Sequence, residues 1–155
     1  MVVPASYVFL LRGQGAATEV LLQLRRGTGY MDGHWAAAAA GHVERGETAY
    51  DAARREAAEE IDVREVDLRF ATSMQRTRNA DALDERIDFF FTARTWSGEP
   101  RVVEPAKCAE LRWCRLDALP APVVPHEESV LRGLRDGDLA SYTSFGFHRK
   151  GEGAP

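Results

Sequence analysis

The segment from Thr48 to Ile61 constrains the fold most, because its residue types and spacing predict one amphipathic helix. It is rich in Ala, Arg and Glu, which favour helices. Thr48 and Asp51 form a capping-box pattern, T-x-x-D, so the helix should begin directly after Thr48. At 3.6 residues per turn, one stripe of small and apolar residues should face a core: Ala49, Ala53, Ala57 and Ile61.

Three glutamates lie beside this stripe on the same helix. With Ala49 at zero, Glu60 falls inside the stripe at about 20°, and Glu56 and Glu59 flank it at about 340° and 280°. Their carboxylates repel one another as i, i+3 and i+4 neighbours, and partial burial adds to the cost. The pattern therefore predicts a bound cation. A hard divalent ion, Mg²⁺ or Mn²⁺, suits an all-oxygen site.

The wider spacing favours this interpretation over an ordinary glutamate-rich surface helix. The segment from Gly41 to Val63 resembles the Nudix box, G-x5-E-x7-R-E-U-x-E-E-x-G-U, where U is a bulky aliphatic residue. The glycine and charged positions that match are Gly41, Glu47, Arg55, Glu56, Glu59 and Glu60. Ala57 stands in place of the aliphatic residue and Asp62 in place of the last glycine. Asp tolerates a left-handed backbone, so Asp62 is expected to end the helix.

The resemblance implies which residues hold the metal. In the family, the R-E-x-x-E-E carboxylates coordinate divalent cations, and the matching residues are Glu56, Glu59 and Glu60. The carbonyl just before the box glycine, here that of Ala40, is a further ligand. A glutamate before the final tryptophan-bearing strand often completes the metal site, and Glu110 matches it by its closeness to Trp113.

The resemblance also implies the chemistry, which is attack of water on phosphorus in a diphosphate linkage. Glu47 is expected to pair with Arg55, because a planar guanidinium can hold a carboxylate bidentately. Glu56 is the first candidate for the carboxylate that takes the proton of the water. Glu104 and Glu110 in a later loop are the alternatives.

We therefore expect a Nudix pyrophosphohydrolase, dependent on Mg²⁺ or Mn²⁺, that acts on a small nucleoside diphosphate derivative such as a nucleoside triphosphate or a nucleotide sugar. The chain lacks the W-x-x-P-G that often precedes the box and has Ala40-Gly41-His42 instead. That difference keeps a Nudix-fold diphosphate isomerase as an alternative. A non-catalytic nucleotide-sensing module is the other alternative, although such modules usually lose box carboxylates.

The predicted elements suit the α+β fold that the resemblance implies, a mixed β-sheet sandwiched between α-helices (an α/β/α sandwich). Strands are predicted at 6–12, 19–25, 66–76, 86–96 and 111–115, with an extended segment at 35–43 and a second helix at 127–135. The first two strands should form a hairpin through Gly13 to Gly15. A loop is expected at 79–82, and Phe145 and Phe147 are expected to form a hydrophobic clasp.

Several residues outside the box are candidates for substrate binding. Arg25, at the end of the second strand, could reach substrate phosphates, and a surface role is equally open for it. Tyr30 and Trp35 could stack on a base, with a core position as the alternative for Trp35. His42, beside the box glycine, is expected to pack, and Arg76 is expected to lie in solvent.

Length and charge limit the classes of partner. The chain has 155 residues, which predicts one domain over 1–148 and a flexible tail over 149–155. Its net charge of −4 argues against a nucleic acid polymer as partner, since duplex binding needs clustered positive charge. No signal peptide or membrane-spanning run is evident, and Cys108 and Cys114 are expected to be free thiols, so a cytoplasmic protein without membrane partners is expected. A homodimer is left open.

Overall fold

A computed structural model describes residues 2–77 and 85–147. Eight strands and two helices follow one another along these residues: β1 (Val3–Arg12), β2 (Glu19–Arg25), β3 (Trp35–Ala37), β4 (Ala39–His42), α1 (Ala49–Ile61), β5 (Leu68–Arg76), β6 (Arg86–Ala93), β7 (Cys108–Arg115), α2 (Pro125–Asp136) and β8 (Tyr142–Phe145). In this part of the chain, no helix is both long enough and apolar enough to cross a membrane.

The strands form one mixed sheet. Its main path runs β3-β2-β1-β6-β5-β8, and β4 pairs with β1 while β7 pairs with β2. The β1–β6 and β5–β8 pairs are parallel, and the other pairs are antiparallel. The predicted hairpin of β1 and β2 is confirmed by the pairing of Leu11 with Val20.

A helix packs on each face of the sheet, which confirms the predicted α/β/α sandwich. On one face, Ala57 and Ile61 of α1 join Val8 of β1 in a core cluster. On the other face, Leu131 of α2 joins Phe9 of β1. Strand β1 is thus buried on both faces, as its unbroken apolar run predicts.

Helix α1 begins and ends where its sequence predicts. The Asp51 N–H donates to Thr48 Oγ1 at 3.1 Å, and the Thr48 N–H donates to Asp51 Oδ2 at 3.0 Å, which completes the capping box. Asp62 adopts the left-handed conformation with φ 58°. Its carboxylate accepts hydrogen bonds from Arg64 at 2.6 Å and Arg101 at 3.0 Å. The predicted core stripe is also confirmed, with Ala52 as a further buried member.

Other boundaries differ from the prediction. Strand β8 was missed, because its polar, exposed residues alternate with partly buried ones and its stability comes from parallel pairing with β5. Phe145 packs against the core on the α2 face, but Phe147 is exposed, so the expected clasp is Phe145 alone. The extended segment 35–43 is two strands, β3 and β4. The loop expected at 79–82 and the tail expected at 149–155 lie outside the described residues.

Candidate active site

Strand β4 brings the backbone of Ala40 to helix α1. The Ala40 N–H donates to Glu60 Oε2 at 2.8 Å. In an antiparallel ladder the N–H and C=O of one residue point to the same side, so the Ala40 carbonyl also faces away from β1 and toward the helix. This geometry places a backbone oxygen beside the carboxylates of α1.

The Glu60 carboxylate lies in a position that is unfavourable for its charge. Its pKa is raised to about 8, chiefly by burial and also by the nearby Glu56 carboxylate, while the Ala40 N–H and Arg25 oppose the shift. The pKa of Glu56 is raised as well, chiefly by burial. Two carboxylates thus lie close together and are partly removed from solvent, as the helical pattern predicts.

Arg55 connects the loop before α1 to the helix. Its Nε and Nη2 donate to the two oxygens of Glu47 at 3.1 and 2.7 Å, a bidentate pair. Its Nη1 donates to Glu56 Oε1 at 2.7 Å, and Nη2 also donates to the His42 carbonyl at 3.0 Å. The predicted pairing of Glu47 with Arg55 is present, and the same guanidinium fixes the Glu56 carboxylate.

Gly41 makes room for Glu56. A Cβ atom added at position 41 would overlap the Glu56 carboxylate carbon and both of its oxygens. The Glu56 side chain is only 12% exposed, so it has little space in which to retreat. Close approach of backbone to carboxylate explains the glycine at this position.

Gly41 and His42, at the end of β4, also line a cavity of about 330 Å³. Seven further side chains of its lining are charged or aromatic and polar: Tyr7, Arg25, Tyr30, Arg76, Arg86, His126 and Glu127. The cavity lies within the volume range of small-molecule sites. It is thus a pocket for a polar ligand that extends from Ala40 and Gly41, whose backbone contacts Glu60 and Glu56, to Glu127 of α2.

Arg25 supplies this cavity with a cation that forms no ion pair with a carboxylate among the described residues, although its charge lowers the pKa of Glu60 and of Glu127. Its Nε donates to the Tyr30 carbonyl at 2.9 Å and its Nη2 to Thr28 Oγ1 at 3.1 Å, both neutral groups. Its guanidinium carbon lies 5.4 Å from the centroid of the Tyr30 ring. The structure therefore brings Arg25 and Tyr30 together at the cavity, as the substrate-binding prediction requires.

Helix α2 contributes a buried carboxylate that sequence reasoning missed. Glu127 Oε1 accepts a hydrogen bond from the Ala37 N–H at 2.7 Å, and burial raises the pKa of Glu127 to about 7. The signal was present in the sequence, since Val130 and Leu131 lie at i+3 and i+4 from Glu127 on the apolar face of α2. The same argument identified the glutamates of α1.

We expect Glu127→Gln to flatten the pH dependence of stability. Because folding raises the pKa of Glu127 from 4.5 to about 7, its contribution to stability is complete below pH 4.5 and is lost as pH rises through 7. At pH 8 the variant should be more stable than the wild type by about 3 kcal/mol, and at pH 4.5 nearly equal to it.

Urea unfolding at the two pH values measures this difference, with the neighbouring Glu128→Gln as control, because Glu128 pairs with Arg132 at the surface. If the free energy of unfolding of Glu127→Gln depends on pH as that of the wild type does, ionisation of Glu127 does not destabilise the fold.

Comparison with known proteins identifies the family of the chain. A family model described as the NUDIX domain matches residues 1–134. The chain belongs to the NUDIX family. None of the curated proteins matches the chain significantly.

Solved Nudix structures share the fold. A MutT NUDIX hydrolase from Burkholderia pseudomallei is 26% identical over 83% of this chain and 96% of its own, with a TM-score of 0.70. The E. coli ORF135 protein is 21% identical over 87% of this chain and 89% of its own, with a TM-score of 0.68. A C. elegans Ap4A hydrolase is 20% identical over 86% and 96%, with a TM-score of 0.62.

The donor set formed by the C-terminal half of α1 and by β4 fits a divalent cation in its chemistry. Glu56 and Glu60 offer carboxylate oxygens under mutual repulsion, and Ala40 offers a carbonyl oxygen, which are the ligands that Mg²⁺ and Mn²⁺ prefer. Within residues 2–77 and 85–147, no three His, Cys, Asp or Glu side chains converge as a metal cluster. The carboxylates are held instead by Arg55 and the Ala40 N–H.

Of the other predicted carboxylates, Glu59 and Glu104 lie near Glu60, and Glu110 does not. Glu59 lies on the same turn with its side chain 58% exposed, 3.4 Å from Arg55 Nη1. Glu104 borders a small cavity of about 70 Å³ together with Glu60. The structure does not bring Glu110 there, because its carboxylate pairs with Arg112 at 2.9 Å on the opposite face of the sheet.

Three residues outside the carboxylates lie elsewhere than their first-named expectation. Trp35 is 5% exposed within the core, and Arg112 covers its ring at 4.5 Å from the centroid. It does not border the cavity of about 330 Å³, so it occupies the core position that was the alternative to stacking on a base. His42 is exposed and borders that cavity, contrary to the expected packing. Arg76 is largely buried rather than solvated.

Proposed function

We propose that the chain is a metal-dependent Nudix pyrophosphohydrolase that cleaves a diphosphate linkage in a nucleoside diphosphate derivative, a nucleoside triphosphate or a nucleotide sugar. The observation that carries the proposal is the strained pair Glu56 and Glu60. Both are held against the backbone of β4, whose residues Ala40 and Gly41 line a cavity that also contains the guanidinium of Arg25. Repelling carboxylates beside a cationic pocket suit a metal-bound diphosphate.

The proposed roles follow from the contacts. Glu56, Glu59 and Glu60, with the Ala40 carbonyl, would hold the divalent ion, which when bound neutralises phosphate oxygens and acidifies the attacking water. Arg55 and Glu47 orient the helix and fix the Glu56 carboxylate. Arg25 binds a substrate phosphate, since its charge has no carboxylate partner among the described residues.

The proton acceptor is proposed to be Glu56, with Glu104 as the alternative. Burial raises the pKa of Glu56, which makes its carboxylate a stronger proton acceptor than a solvated one. Glu104 borders the small cavity beside Glu60, whereas Glu110 is on the other face of the sheet. The structure thus favours Glu104 over Glu110 as the later-loop candidate.

A panel assay tests the proposed reaction. Nucleoside triphosphates, nucleotide sugars, ADP-ribose and dinucleoside polyphosphates are incubated with Mg²⁺ or Mn²⁺. Phosphate is measured with a coupling pyrophosphatase for the triphosphates. For the other classes it is measured with a coupling phosphatase, which releases phosphate from the phosphomonoester products but not from the intact substrates. Turnover of one class is expected. Failure on every class, together with isomerisation of isopentenyl diphosphate or binding without turnover, would contradict the hydrolase proposal.

We expect Gly41→Ala to reduce metal-dependent turnover by about 100-fold with a smaller effect on stability. The added methyl group occupies the place of the Glu56 carboxylate and displaces it from Arg55. The matched control is Gly29→Ser, because Gly29 has open space around its Cα, although its positive φ costs some stability. Wild-type turnover by Gly41→Ala would show that the position of Glu56 is not critical.

A further inference from the structure

A buried ion pair lies in the wall of the cavity, away from the carboxylates of α1. Arg76 on β5 donates from Nε to Asp88 Oδ2 on β6 at 2.7 Å, with side chains 12% and 0% exposed. Asp88 Oδ1 is buried and has no hydrogen-bond partner among the described residues. Burial of two charges is costly, so such a pair calls for an explanation beyond packing.

The pair presents hydrogen-bond donors to the cavity without net charge. A guanidinium has five N–H donors, and Arg76 uses Nε for Asp88 and reaches only Tyr7 Oη with Nη2, at 3.5 Å. No other described group accepts from it, and Arg76 borders the cavity. Because Asp88 neutralises its charge, the remaining N–H groups suit a neutral acceptor better than a phosphate.

The surroundings keep Arg76 in place. Asp88 is fully buried, and Tyr7 stacks on Phe90 with ring centroids 4.5 Å apart. His126 Nε2 lies 3.3 Å from Tyr7 Oη and 3.8 Å from Asp88 Oδ2. A long arginine side chain thus loses its freedom before any ligand arrives, which lowers the entropy cost of recognition.

An acceptor lies in the same cavity wall. Glu127 Oε1 is used by the Ala37 N–H, which leaves Oε2 as an acceptor that no described group occupies. Arg76 offers an N–H donor and Glu127 offers the Oε2 acceptor. Together they complement a ligand edge on which an acceptor stands beside a donor. A ring carbonyl beside a ring N–H, the lactam edge of hypoxanthine, guanine and uracil, has this pattern, and adenine has the reverse.

We propose that Arg76, positioned by Asp88, and Glu127 select a lactam-type nucleobase. This inference rests on the proposed function in that it names the substrate class for the same cavity. Arg76 donates to the ring carbonyl oxygen, and Glu127 accepts from the ring N–H. Asp88 is a positioning residue, since it acts on the ligand only through Arg76.

Equilibrium binding of two nucleotides tests the assignment without metal or turnover. Inosine 5′-monophosphate has the lactam edge, and purine riboside 5′-monophosphate lacks both of its groups. The wild type should bind the inosine nucleotide at least about tenfold more tightly, the ratio that one or two charge-assisted hydrogen bonds produce. In the double variant Arg76→Met with Asp88→Leu, the ratio should fall several-fold, to what the contact with Glu127 alone provides.

The variants are chosen so that a folding defect does not decide the result. The double variant removes both charges of the ion pair together, because either charge alone would remain buried without a partner. Glu127→Gln removes the carboxylate acceptor without touching that pair and should lower the ratio several-fold. Asp88→Asn, which retains Arg76 but weakens its anchor, should lower it too. Arg94→Met, an exposed residue bonded to the Gly13 carbonyl, is the control and should leave the ratio unchanged.

A wild-type ratio near one, the absence of binding by both nucleotides, or an unchanged ratio in folded variants would overturn the base assignment. Equal kcat/KM on the two matching triphosphates, with metal-dependent turnover, would overturn it while the hydrolase proposal stands. A lactam preference in binding, with no hydrolysis of any diphosphate, would support the base assignment and contradict the hydrolase.

Discussion

Glu60→Gln is expected to reduce metal-dependent turnover by on the order of a thousandfold or more while the fold is retained. The amide oxygen can still accept the Ala40 N–H, so the bond at 2.8 Å has a counterpart in the variant. What is lost is a negative charge for the metal. Steady-state turnover on the substrate that the panel identifies measures the loss.

Thermal unfolding with and without Mg²⁺ separates metal binding from folding in this variant. A ligand that binds only the folded protein raises its stability, so Mg²⁺ or Mn²⁺ should raise the Tm of the wild type and raise that of Glu60→Gln much less. Glu99→Gln, an exposed residue in the loop after β6, is the matched control and should respond as the wild type does. An equal response of Glu60→Gln would remove Glu60 from the metal site.

Arg55→Lys should lower turnover by about 100-fold and stability by about 2 kcal/mol, although the charge is conserved. An ammonium cannot reproduce the bidentate bonds to Glu47 together with the bonds to Glu56 and the His42 carbonyl. The loop would no longer be fixed to the helix, and the Glu56 carboxylate would lose its position.

The adjacent residue provides the control for this substitution. Arg54 is exposed and forms no ion pair with a described residue, so Arg54→Lys should behave as the wild type in urea unfolding and in turnover. If the two lysine variants are equally active, the guanidinium of Arg55 does not orient the site.

The helix and its surroundings could be predicted because their determinants are local. The capping box of Thr48 and Asp51, the left-handed Asp62 and the alanine stripe each depend on residues within a few turns of one another. The pairing of Glu47 with Arg55 followed from the spacing of the box. The two-faced burial of β1 followed from an unbroken apolar run.

The remaining features depend on contacts between residues distant in sequence. Glu110 was preferred by its closeness to Trp113, but strand alternation along β7 turns the two side chains to opposite faces of the sheet. Arg76 and Asp88 meet only because β5 and β6 are neighbours. Glu127 reaches Ala37 across 90 positions of sequence, and single-sequence patterns do not encode such a distance.

Hydrolysis in ¹⁸O-labelled water tests the central claim most directly. The wild type is incubated in that water with Mg²⁺ and each nucleoside diphosphate derivative of the panel, and the products are analysed by mass spectrometry. Our account predicts a phosphate-containing product that carries one ¹⁸O atom, formed with Mg²⁺ and suppressed by a chelator and by Glu60→Gln. Intact substrates, an isomerised product without label, or labelling that persists with the chelator would contradict it.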